Sequence, residues 1–130
     1  MTELYVLDTH ILIWYFIGSK RLPRKAKEII DSCLSGNGFL LVPTIVLSEA
    51  LDIAEKGKVE FDFHAMYRSI TTEPTFGIIE YSQDIFEETL NVSEIKEIHD
   101  RIITATARLY SANVLTKDRI IKASGDVDTL

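Results

Sequence analysis

The chain has 130 residues, 46% hydrophobic and 26% charged, the composition of an ordinary globular domain that buries one core. Its formal net charge of −6 argues against holding nucleic acid through a general electrostatic field, though not against an acidic metal site with a local basic rim. The lone Cys33 allows no internal disulfide and suits a reducing compartment, and the longest apolar run, Ile11 to Ile17, falls far short of the ~20 residues of a membrane span, so a cytoplasmic protein without a membrane segment is expected.

Leu4-Tyr5-Val6-Leu7 is apolar in succession, as in a parallel strand covered on both faces. Asp8 ends it, at the strand edge where open α/β sheets gather ligands. The spacing predicts a helix from about Thr9 to Phe16, then a turn at Gly18-Ser19-Lys20-Arg21. Leu22-Pro23 opens a second helix, marked by Ala26, Ile29, Ile30, Cys33 and Leu34 and stopped by Gly36-Asn37-Gly38. Phe39-Leu40-Leu41-Val42 reads as the second buried strand. A third helix starts at Pro43-Thr44, carries Ile45, Val46, Leu47, Ala50 and Ile53 inward, and ends at Lys56-Gly57. A fourth, from about Phe61 to Ile70, is broken by Glu73-Pro74.

Phe76 to Tyr81 is the third strand, and Ser82 caps a helix through Ile85, Phe86 and Leu90. Asn91-Val92-Ser93 loosens the chain before an Ile- and Ala-rich helix from roughly Glu97 to Tyr110. Val114-Leu115-Thr116 is a brief fourth strand with Asp118 just beyond it. A short helix over Arg119 to Ala123 is expected next, and Asp126 to Leu130 as a frayed edge strand. The alternation of strands and helices implies a parallel sheet with helices on both faces, in one domain covering residues 1–130.

Four acids occupy similar places in different α/β units: Asp8, Glu49, Asp100 and Asp118. Each alone has a structural explanation. Asp8 and Asp118 are good helix caps, Asp100 suits the positive end of a helix, and Glu49 can pair with a base such as Lys56. In a parallel sheet, however, the ends of the first and fourth strands face one edge. Two charges ~4 Å apart repel by roughly 4 kcal/mol at an effective dielectric of 20, so a converging quartet needs protons or metal ions. All-oxygen ligands suit Mg²⁺ or Mn²⁺, which support in-line attack of a metal-activated water on a phosphodiester.

Leu7-Asp8-Thr9-His10, Ser48-Glu49-Ala50, the run from His99-Asp100-Arg101-Ile102-Ile103 to Ala107, and Leu115-Thr116-Lys117-Asp118 occur in this order. Together they resemble the PIN-domain ribonucleases, especially the VapC-like toxins of toxin–antitoxin pairs, from Leu4 to about Ile121. The resemblance implies a three-layer α/β/α sandwich around a parallel sheet of about four or five strands. It also implies a Mg²⁺- or Mn²⁺-dependent endoribonuclease, with RNA as substrate, a protein antitoxin that enters the acidic cleft, and a homodimer. Carried over by position, Asp8, Glu49, Asp100 and Asp118 are the catalytic metal-binding quartet. Thr116 takes the place of a threonine or serine that donates to a carboxylate or bound water, and Thr9 does similar work beside Asp8. The ending Asp126-Val127-Asp128-Thr129-Leu130 departs from the aromatic ending often seen in the family.

His10, His64 and His99 lack metal-ligand spacing, and Trp14, Tyr15 and Phe16 read first as core. Lys20, Arg21, Arg24, Lys25 and Lys27 form the densest basic run, a solvated helix face or a phosphate-contacting rim. Arg101 and Lys117, each beside a quartet acid, are better placed to meet a carboxylate or a phosphate. Two rival readings remain: a non-catalytic RNA- or protein-binding module of the same fold, and a phosphatase-type domain using Asp8 as nucleophile with Thr116-Lys117 as partners.

Overall fold

The computed structural model describes residues 3–117, 119–121 and 127–129. In chain order the elements are β1 (Glu3–Leu7), α1 (Thr9–Ile17), α2 (Arg24–Ser32), β2 (Gly38–Pro43), α3 (Thr44–Glu55) and α4 (Phe63–Thr72). There follow β3 (Phe76–Ile79), α5 (Gln83–Thr89), α6 (Ile98–Leu109), β4 (Asn113–Leu115), β5 (Arg119–Ile121) and β6 (Val127–Thr129). The strands form one sheet in the order β3-β2-β1-β4-β5-β6. The four from β3 to β4 are parallel, and the six helices flank them in the expected α/β/α sandwich.

β1 lies inside the sheet, and its second half, Val6 and Leu7, is buried. Val6 has Leu41 on one side and Val114 on the other, and all three are buried. A fully buried Val, Leu or Ile contributes ~1.5–3 kcal/mol relative to exposure, so this rung anchors the sheet. α1 buries Ile11, Leu12 and Ile13 in succession, which a helix does only when packed on most of its circumference. Gly18 ends α1 in the left-handed conformation (φ 65°), its N–H reaching the Trp14 and Tyr15 carbonyls. At the start of β2, a Cβ on Gly38 would lie 2.7 Å from the Glu3 carbonyl oxygen and 3.0 Å from Cys33 Sγ, so glycine is required there by close approach.

One expected element changes type. Arg119 to Ala123 does not open a helix: its first three residues form β5, antiparallel to β4, with Leu115 opposite Ile120. β-branched isoleucine favours a strand, and Ile120 is buried between β4 and β6. Residues 122–123 of the expected helix lie outside the described residues. The expected edge strand is present as β6, antiparallel to β5. Among the described residues, no helix is long and apolar enough to cross a membrane.

Candidate active site

Three elements deliver carboxylates to one cleft of about 410 Å³ at the carboxyl edge of the parallel strands. Asp8 arrives on β1. Its amide donates to the Leu115 carbonyl at 3.0 Å, locking β1 to β4, and its carbonyl accepts from the Leu12 amide at 3.1 Å, starting α1. Its Oδ1 accepts from the Thr9 amide at 2.7 Å. Glu49 arrives on α3, half-buried on the stripe of Ile45 and Ile53. The Thr9 hydroxyl, itself 1% exposed, donates to Glu49 Oε1. Asp100 arrives in the first turn of α6, and its amide donates to Glu97 Oε2 at 2.7 Å. Thr116 and Lys117, just past β4, line the same cleft, and Ile95, Ile103 and Val114 form its apolar part.

Burial raises the Asp8 carboxyl above the ordinary carboxylate range, and the negative charges of Asp100 and Glu49 raise it further. The Thr9 amide and His10 oppose that rise only in part. Glu97 moves the other way: the Asp100 amide, helped by His99, holds it below the ordinary range.

Glu97 and His99 belong to the cleft but not to the expected quartet. Glu97 is the N-cap of α6, and His99 Nδ1 lies 3.3 Å from Glu97 Oε1 and 3.4 Å from Glu49 Oε2. The signal in the sequence was the three-residue interval between Glu97 and Asp100, that of a side chain capping the N3 amide, but glutamate is a poor advertisement for a cap. Arg101 Nε donates to the Thr89 carbonyl at 2.9 Å, fastening α6 to α5. The basic run of α2 contributes nothing to the cleft lining, and its Arg24–Glu28 and Lys27–Asp31 pairs are exposed and intrahelical. Asp118 lies outside the described residues.

The donor set is carboxylate and hydroxyl oxygen, which suits a hard divalent cation. Among the described residues, no group of three or more His, Cys, Asp or Glu is gathered tightly enough to hold an ion by itself. The carboxylates line a shared cleft that a cation's charge would relieve.

The PIN domain model matches residues 5–126. No curated protein matches the chain. A toxin–antitoxin complex from Klebsiella pneumoniae is similar at 29% identity and a TM-score of 0.60, over 86% of this chain and 84% of that one. VapBC2 from Rickettsia felis, bound to a DNA fragment from its promoter, superposes with a TM-score of 0.67 at 18% identity, over 87% and 86% of the two chains. VapC20 from Mycobacterium tuberculosis, a sarcin-ricin loop cleaving toxin, gives 0.61 at 14% identity, over 83% and 84%. These last two likenesses speak to the fold. The chain belongs to the PIN domain family, a family of ribonucleases that generally use divalent metal ions.

Proposed function

We propose that this chain is an endoribonuclease and the toxin of a toxin–antitoxin pair, hydrolysing RNA phosphodiester bonds with Mg²⁺ or Mn²⁺ held by Asp8, Glu49, Asp100 and Asp118. The observation that carries the reading is the arrival of Asp8, Glu49 and Asp100 from three elements in one cleft, where burial, and after it the neighbouring negative charges, raises Asp8. When bound, the cation supplies positive charge to the attacking and leaving oxygens of an in-line displacement.

The chain's own residues do the rest. Thr9 fixes one oxygen of Glu49, while His99 faces the other. One acid of the carboxylate cluster accepts a proton from the attacking water. Thr116 steadies the carboxylates from the end of β4, and Lys117 receives a phosphate oxygen at the rim. Arg101 fastens α6 to α5 through its Nε and keeps its remaining N–H donors for a phosphate. The similarity to the Klebsiella pneumoniae toxin–antitoxin complex supports a protein antitoxin as partner. We also assign a homodimer and a cytoplasmic place of action to the protein.

Cleavage of a labelled RNA by the purified chain, with Mg²⁺ or Mn²⁺ and with EDTA, tests this. Wild type is expected to cut only with metal, and Asp8→Asn to be folded and inactive. Undiminished, chelator-insensitive cleavage by Asp8→Asn sinks the reading.

A further inference from the structure

Two imidazoles line the acidic cleft, and they are held differently. His99 turns its Nδ1 toward the carboxylates of Glu49 and Glu97. His10, two residues beyond Asp8, instead lies against the indole of Trp14, one helical turn along α1. The ring centroids are 5.4 Å apart and the planes tilted by 54°. Trp14 is only 9% exposed, so the indole is fixed by the core and holds the imidazole through this tilted contact. His10 itself is half-buried and lines the cleft. Among the described residues lining it, Lys117 is the only lysine or arginine, against Asp8, Glu49, Glu97 and Asp100. The side chains of this cleft therefore offer an RNA backbone little net attraction. They offer a base an imidazole ring in a cleft whose lining also includes Ile95, Ile103 and Val114, and stacking on a ring is tolerant of sequence.

We propose that His10 is a stacking platform for one unpaired nucleobase of single-stranded or looped RNA, adjacent to the phosphate handled by the carboxylates, with Trp14 as the residue that positions the platform. This subsite deepens the nuclease reading and rests on it. A paired base inside a duplex is already stacked and unavailable, so the substrate class is RNA whose bases are splayed out.

Binding is measured by anisotropy with the full chain, in Ca²⁺ to suppress turnover, using a fluorescein-labelled single-stranded RNA dodecamer. The comparison probe is an abasic ribose-phosphate chain of the same length. Wild type is expected to bind the base-bearing RNA on the order of ten-fold more tightly than the abasic chain. His10→Ala is expected to lose that preference while binding the abasic chain as wild type does, and His10→Phe to keep it. Thermal melts of both variants establish that they are folded, and the phenylalanine variant reports on stacking if alanine loosens α1. An unchanged base preference in His10→Ala overturns the platform. Failure of the nuclease reading looks different: neither probe binds wild type and no RNA is cut.

Discussion

The Thr9 hydroxyl donates to the carboxylate of Glu49, forty residues further along the chain. The bond joins the first residue of α1 to the middle of α3, so the strand end that carries Asp8 and the helix that carries Glu49 are tied beneath the cleft. Thr9→Val keeps the shape and removes the donor. Its expected effect is a 10- to 100-fold loss in activity or metal affinity, the usual consequence of losing a residue that orients a ligand. Thr9→Ser is expected to restore most of it. Steady-state kinetics and a Mg²⁺ titration check this, and a Thr9→Val enzyme with wild-type metal dependence removes the orienting role.

Asp8 bears on stability with a definite sign. Its carboxyl titrates above the ordinary 3.8, so the folded state holds the proton more tightly than the unfolded chain. The stability it contributes is fully present below pH 3.8 and is lost as pH rises through the raised value. At neutral pH, in EDTA, the ionised group is a burden. Asp8→Asn is therefore expected to melt at a temperature equal to or above wild type at pH 7, and to flatten the melting profile across that acidic window. Calorimetry from pH 3 to 7 measures both; a clear fall in melting temperature at pH 7 contradicts a carboxyl raised by burial and neighbouring charge.

Metal addition is expected to act on the same charge. Mg²⁺ or Mn²⁺ binding only the folded state raises stability by about 2.7 kcal/mol at a hundred times its dissociation constant. A thermal-shift titration is expected to show a saturable rise for wild type that disappears in Glu49→Gln. Equal shifts in both proteins place the ion elsewhere.

Gly38 offers a test away from the cleft. Its conformation (φ 167°) is extended backbone that any residue adopts, so the constraint is space alone. A Cβ there meets backbone of β1 at 2.7 Å. Gly38→Ala is expected to cost ~1–3 kcal/mol by overpacking, read from the urea midpoint, while folded enzyme retains its turnover. A midpoint like that of wild type means that β1 and β2 can part without cost.

The sequence was most legible where one physical rule decided the outcome. Leu4 to Leu7 and Phe39 to Val42 read as strands from their continuous apolar runs, and they pair as parallel neighbours, although Phe39 at the start of β2 stays exposed. Arg119 to Ile121 was misread because three residues carry no period, and a pairing partner, Leu115, decided their form. Asp8, Glu49 and Asp100 were visible as acids interrupting apolar patterns and are brought to one cleft. Glu97 was hidden because an exposed glutamate in a charged stretch resembles any solvated acid. The bond from Arg101 to the Thr89 carbonyl was not legible either, because a place beside Asp100 says nothing of the helical direction.

The Asp8 amide is bonded to the Leu115 carbonyl, so the residue at the cleft is also a rung of the β1–β4 ladder. Side chains alternate across a strand, and a slip of one residue in that ladder would swing the Asp8 carboxylate to the opposite face. A chain paired in the wrong register would thus be inert as well as unstable. Destructive chemistry toward RNA would switch on only when the last parallel strand has docked correctly, which makes enzymatic activity itself a proofreading signal for the completed sheet.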